Sequence, residues 1–202
     1  MERYVDSLSP WSKEPEIMSI SRRWIGGGRV LAAAAVVVVL AGTLPAAEPL
    51  KPGDPAPAFE LPGSDGKTYK LADFKGKQAV VLAWFPKAFT GGCTAECKSL
   101  RDSGEAVRRF KVAYFTASAD EPDLNKKFAE SLELDYPILS DPARTVAEAY
   151  GVIDATARWP RRWTFYIGPD GRILAIDKAV KTASHGADVA ARLKELGVAE
   201  KK

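Results

Sequence analysis

The sequence predicts an α/β domain, with a central mixed β-sheet flanked by helices on both faces. Three observations carry this expectation. From Pro55 onward, apolar runs of strand length alternate with stretches of helical spacing. The alternation closes on a hairpin, where residues 163–167 and 173–177 flank Gly168-Pro169-Asp170-Gly171. The 202 residues, 46% apolar and 27% charged, suffice for one domain with a sizeable core and not comfortably for two.

The first segment stands apart from that domain. Residues 30–44 read VLAAAAVVVVLAGTL, without a charge, preceded by Arg22, Arg23 and Arg29 and followed by Pro45-Ala46-Ala47. A basic flank, an apolar run of that length and an exit of small residues make a secretory signal, with cleavage expected near Ala46 or Ala47. A membrane span takes about 20 apolar residues, so a retained anchor through residues 30–44 is the second reading. Residues 1–17 are polar and hold two prolines, unlike the start of a signal, and Met18 is a more natural beginning. Ser21-Arg22-Arg23-Trp24-Ile25 partly resembles a twin-arginine export signal. Residues 1–47 are therefore expected to be an export region, and the chain a bacterial periplasmic or cell-envelope protein.

Residues 48–54, EPLKPGD, suit a short Pro-rich connector, and residues 55–202 form the domain. Gly63-Ser64-Asp65-Gly66 turns the chain between two short extended pieces. Residues 78–85, QAVVLAWF, bounded by Gly76 and Pro86, read as a buried central strand. Residues 94–110 have helical spacing, with Cys97, Leu100, Val107 and Phe110 near one face. Residues 112–118 read as a second buried strand, and 123–132 as an amphipathic helix with Leu124, Phe128 and Leu132 in register. A short strand over 137–139 precedes a short helix over 145–150, which Gly151 ends. After the hairpin, residues 187–196 form a last helix that Gly197 stops. The order from the first central strand is β-α-β-α-β-α-β-β-α, which implies a mixed sheet. A reactive group where the first central strand gives way to a helix occupies the usual site position of an open sheet, and Cys93 lies there. Outside residues 1–47 basic and acidic residues nearly balance, with no basic stripe interleaved with aromatics, so no nucleic-acid partner is expected.

The chain has two cysteines, Cys93 and Cys97. In an exported protein such a pair could be a structural disulfide, but so short a loop constrains the unfolded chain little. Positions four apart differ by about 40° on one helix face, so closing the bond demands local unwinding. A bond that strains its helix is easily reduced, which suits redox chemistry better than stapling.

Pro86-Lys87-Ala88-Phe89-Thr90-Gly91-Gly92-Cys93 resembles the P-x-x-x-T-x-x-C active-site motif of peroxiredoxins. The chemistry needs these residue types. Thiolate attacks peroxide, and a free thiol with a pKa of about 8.5 is mostly protonated at neutral pH. A helix N-terminus favours thiolate through unpaired N–H groups and the positive end of the dipole. Gly91 and Gly92 let backbone approach a small ligand, Thr90 offers a hydroxyl to a peroxide oxygen, and Pro86 shields the sulfur from water. Taken singly, Thr90 could cap the helix and Pro86 could end the strand. Their joint spacing is the specific signal.

The resemblance implies a thioredoxin-like fold and a distant arginine just before a late strand, in a pattern R-x-[ST]-F. Arg162-Trp163-Thr164-Phe165 matches it. Arg161 is the neighbouring candidate, but side chains alternate along a strand, so only one of the two faces the site, and Arg162 is expected. The resemblance covers most of residues 52–197, including the opening Gly53-Asp54-Pro55-Ala56-Pro57-Ala58-Phe59-Glu60-Leu61 and Leu100-Arg101-Asp102. It is strongest to the bacterioferritin-comigratory, or Q-type, branch. That branch commonly places its resolving cysteine five residues after the first, whereas Cys97 comes four after Cys93. Either Cys97 or a partner thiol then resolves. Glu96 matches an acidic residue of the family and either bonds the arginine or nearby backbone, or is an ordinary first-turn charge. Trp84, Phe85 and Phe89 form an apolar collar or simply core. His185, in the loop before the last helix, reads as a surface or capping histidine.

The implied activity is a thiol-dependent peroxidase acting on hydrogen peroxide and organic hydroperoxides. A thioredoxin-like reductant recycles it, as a monomer or dimer, and no metal, haem or flavin is implied. Two other readings fit less well. A thiol–disulfide oxidoreductase resembles W-C-x-x-C with a proline before the late strand, where this chain has C-x-x-x-C and Thr164. A Sco-type copper carrier shares the C-x-x-x-C pair, but its histidine stands just before the late strand, where this chain has Arg162.

Overall fold

The computed structural model describes residues 48–201. Residues 1–47, which hold the expected export signal, lie outside them. β1 (Glu60–Pro62) and β2 (Thr68–Lys70) pair antiparallel across the turn at Gly63 to Gly66. A 3-10 turn (Leu71–Phe74) leads into β3 (Ala79–Trp84). There follow α1 (Gly91–Asp102), α2 (Gly104–Arg108), β4 (Val112–Ser118), α3 (Pro122–Ser131), β5 (Ile138–Ser140) and α4 (Thr145–Ala149). The hairpin β6 (Thr164–Ile167) and β7 (Ile173–Asp177) precedes α5 (His185–Glu195). Five strands form one mixed sheet in the order β5-β4-β3-β6-β7, with β3 parallel to β4 and antiparallel to β6.

All six residues of β3 are buried, because both of its faces are covered. Val80, Leu82 and Trp84 join Phe115, Tyr150, Phe165 and Ile167 on one face. Ala79 and Val81 meet Leu100, Val107, Tyr166, Val189 and Leu193 on the other, so α1, α2 and α5 cover that side. This period-two division of an unbroken apolar run is what a helix-covered central strand requires.

Three local expectations change. Residues 94–110 are not one helix: Ser103, at φ −95° and ψ 6°, leaves helical geometry and separates α1 from α2. Leu100 and Val107 lie in one buried cluster on either side of that break, so apolar spacing alone does not reveal it. The segment read as a free connector is partly docked. Gly53 N–H donates to the Ile173 carbonyl (2.8 Å), and Ile173 N–H donates to that of Asp54 (2.9 Å). α5 begins two residues early, so His185 belongs to its first turn.

The topology places the site. Because β6 runs antiparallel to β3, the start of β6 meets the end of β3: Ala83 pairs with Thr164, and Trp84 N–H bonds the Trp163 carbonyl (2.8 Å). The residues just before β6 and the N-terminus of α1 therefore share one edge of the molecule.

Candidate active site

The loop from β3 to α1 is held from below. Ala88 N–H donates to the buried Asp120 carboxylate at 2.8 Å. Phe89 follows with φ 60°, a left-handed conformation that costs an L-residue about 1 kcal/mol or more. Its ring stacks on Phe128 at 4.9 Å yet stays 54% exposed. This tight turn delivers Thr90, which is extended and starts α1: its carbonyl accepts Thr94 N–H at 2.9 Å. The Thr90 hydroxyl does not cap the helix; it donates to the Lys87 carbonyl at 2.9 Å, which leaves its lone pairs open at an exposed position. Pro86 is half-buried at the end of β3. Cys93 is the third residue of α1, fully buried and a free thiol.

Arg162 reaches this sulfur from 69 residues away. One guanidinium nitrogen donates to Cys93 Sγ at 3.3 Å, and the other pairs with Glu96 Oε2. Arg161 turns away and bonds Asp154 Oδ2 at 2.5 Å and the Gly151 carbonyl at 3.2 Å; the chain turns tightly between the two arginines and β6, with Trp163 N–H donating to the Arg161 carbonyl at 3.1 Å. Gly92 makes room for the guanidinium, since a Cβ there would lie 3.3 Å from Arg162 Nη2. Arg162 itself is 22% exposed, whereas the Glu96 side chain is sealed from solvent. A carboxylate without water needs partners on both oxygens. Arg162 supplies the first.

The second oxygen faces His185. Glu96 Oε1 and His185 Nδ1 lie 3.3 Å apart, and neither has another partner. The far nitrogen of the ring, Nε2, lies 2.9 Å from the Thr164 hydroxyl. His185 is thus a buried interior residue, which overturns the surface or capping reading. Burial pushes its pKa down to about 4, so the ring is neutral near pH 7.

Cys97 lies one helical turn below Cys93, also fully buried, and its carbonyl accepts the Tyr136 hydroxyl at 3.0 Å. Burial pushes its thiol up to about 12, so this sulfur is protonated and poorly nucleophilic while α1 stays intact.

Pro86, Thr90, Cys93, Cys97 and Arg162 therefore lie where the central strand β3 ends and α1 begins. The aromatic collar is only partly there. Phe85 and Phe89 contact Phe128 beside the cysteines, but Trp84 packs against Tyr150 on the opposite face. Asp120, Tyr136, Thr164 and His185 also belong to the arrangement. For His185 the sequence carried no signal: only the structure shows that a Cβ at Gly186 would collide with the Ser99 carbonyl of α1.

Comparison with known proteins shows the family. The model of the AhpC/TSA family matches residues 52–176. Peroxiredoxin Bcp of Escherichia coli strain K12 is 37% identical over 153 residues, covering 73% of this chain and 97% of the relative. Peroxiredoxin Bcp of Bacillus subtilis is 33% identical over 150 residues, covering 71% and 95%. The crystal structure of peroxidoxin BcpB from Mycobacterium tuberculosis superposes with a TM-score of 0.66 at 31% identity, covering 72% of this chain and 97% of that one. A Xylella fastidiosa PrxQ mutant shares the fold, with a TM-score of 0.69 at 23% identity. The sheet is accordingly the thioredoxin-like one expected, and this chain belongs to the AhpC/TSA family as a peroxiredoxin of the Bcp, or Q-type, branch.

Proposed function

We propose that Cys93 is the peroxidatic cysteine of this thiol-dependent peroxidase, acting on hydrogen peroxide and organic hydroperoxides. The observation that carries this reading is the Arg162 guanidinium 3.3 Å from Cys93 Sγ, in the first turn of α1. A hydrogen bond from a cation is strongest to a charged sulfur, and first-turn N–H groups add to it. In the first step the Cys93 thiolate attacks one peroxide oxygen. The O–O bond breaks, Cys93 becomes sulfenic acid, and the departing oxygen takes a proton from water to leave as water or an alcohol. Arg162 and first-turn N–H groups stabilise the charge developing on the departing oxygen, the Thr90 hydroxyl orients the peroxide, and Pro86 limits water at the sulfur.

In the second step Cys97 attacks the sulfenic sulfur, forming the Cys93–Cys97 disulfide and releasing water. A thioredoxin-like dithiol then reduces that bond by exchange and is itself oxidised. Buried as it is, Cys97 reaches Cys93 only after the first turns of α1 unwind. Stopped-flow oxidation of the reduced protein by hydrogen peroxide tests the scheme. Cys93→Ser abolishes the reaction, and Cys97→Ser still yields sulfenic acid but no intramolecular disulfide by mass analysis. Undiminished peroxide consumption by Cys93→Ser would refute the assignment.

The export reading of residues 1–47 rests on the uncharged run at 30–44 with its arginine flank. It places the enzyme in the periplasm or envelope, with the signal removed near Ala46 or Ala47. N-terminal sequencing of protein recovered from the native host checks this: a chain beginning near residue 47 or 48 fits removal, and one still carrying residues 30–44 fits an anchor.

A further inference from the structure

Glu96, on α1, is the one sealed carboxylate in contact with Arg162 among the described residues, and only one of its oxygens is used by that arginine. Its other oxygen lies 3.3 Å from His185 Nδ1, and both atoms are otherwise unpartnered. A proton between them satisfies two buried groups at once, where leaving each unmade would be costly. The Thr164 hydroxyl at Nε2 completes the pattern, because an oxygen that donates there leaves Nδ1 to carry the ring proton. The backbone supports the same arrangement. Thr164 opens β6 two residues after Arg162, so one short stretch of chain supplies both the partner of Glu96 and the partner of His185. Gly186 N–H donates to Ser99 Oγ at 3.1 Å, and the absence of a side chain at Gly186 lets α5 close onto α1 at this point.

We propose that His185 is a positioning residue for the peroxide reaction: it donates Nδ1–H to Glu96 Oε1, and so holds the carboxylate whose other oxygen orients Arg162 on Cys93. The proposal rests on the reading of Cys93 and Arg162 given above. His185 touches neither the sulfur nor the peroxide. It fixes a carboxylate, which fixes a guanidinium, which faces the reacting atoms. A merely space-filling histidine would be indifferent to which nitrogen carries the proton. A positioning one is not.

The chain holds one histidine, so nitrogen-15 NMR of the full reduced protein labelled at histidine reads this ring without ambiguity. The expected result at neutral pH is the Nδ1–H tautomer; an Nε2–H ring overturns the proposal without any substitution. Two variants test the consequence. An asparagine amide replaces the Nδ1 donor, and a glutamine amide replaces the Nε2 contact. His185→Asn is expected to react with hydrogen peroxide within a few-fold of the unaltered protein. His185→Gln is expected to be about tenfold slower, the loss that follows when one charged hydrogen bond is no longer held in place. In a Glu96→Gln background, His185→Gln is expected to add almost nothing, because the carboxylate through which it acts is gone. Equal rates for the two His185 variants, or an undiminished effect in that background, overturns the proposal. If the unaltered protein reacts and Cys93→Ser does not, such a result removes the role of His185 alone. If Cys93→Ser still reacts, the underlying site reading fails first.

Discussion

At the scale of single residues, the site depends on one side chain doing two things at once. Arg162 gives one nitrogen to Glu96 and another to Cys93, which a planar fork can do and a single ammonium cannot. Arg162→Lys keeps the charge, so it separates geometry from electrostatics. A lysine drawn to the sealed carboxylate of Glu96 leaves the sulfur without its donor. One hydrogen bond to a charged group is worth about 1.5–3 kcal/mol, and about 1.4 kcal/mol is tenfold in rate. Arg162→Lys is therefore expected to slow oxidation of Cys93 by roughly 10- to 100-fold, with little change in thermal midpoint. Stopped-flow rates beside a melting curve check this, and an unchanged rate would mean that charge near the sulfur suffices. Arg161→Lys is the natural control, since that side chain is bound to Asp154.

At the scale of elements, α1 carries both cysteines and must be stable enough to aim one yet open enough to release the other. Tyr136 acts on that balance: its hydroxyl bonds the Cys97 carbonyl at 3.0 Å and ties the second turn of α1 to the segment before β5. Removing a hydrogen bond of about 1 kcal/mol raises the unwound population roughly fivefold. Tyr136→Phe is thus expected to leave peroxide attack unchanged and to speed formation of the Cys93–Cys97 disulfide about fivefold. Following both phases after one peroxide pulse tests it, and an unchanged second phase would place the barrier elsewhere. The same helix shows what spacing reveals and what it hides. Strands β3, β4, β6 and β7 were legible because apolar runs bounded by Gly and Pro have few alternatives, and the motif ending at Cys93 is local in sequence. Arg162 was legible only through the family pattern. The break at Ser103 was not, because the apolar face continues through it. Nor was His185: a lone histidine beside Ser184 and Gly186 reads as a loop, and only the approach of α5 to α1 turns it inward.

At the scale of the whole molecule, the domain keeps one reactive end, beyond the central strand β3, by sealing charged and titratable groups beside it, and that has a consequence in acid. His185 is 1% exposed. Burial is the largest influence on it and lowers its pKa from 6.5 to about 4, against the pull of Asp177 on β7 and Asp188 on α5 and with the help of Arg162. The sign follows from proton counts. Between pH 6.5 and about 4 the unfolded chain binds a proton at this histidine that the folded chain refuses, so stability rises with pH across that window. The contribution is complete above the unfolded value and lost as pH falls through the folded one, amounting to roughly 3 kcal/mol. Denaturant unfolding from pH 7 to pH 4 is therefore expected to show a steeper loss for the unaltered protein than for His185→Asn. The amide does not titrate, so the difference isolates the imidazole from every carboxylate that protonates over the same range. Parallel curves for the two proteins would mean that the ring takes up its proton as readily folded as unfolded, and that α5 opens to admit it.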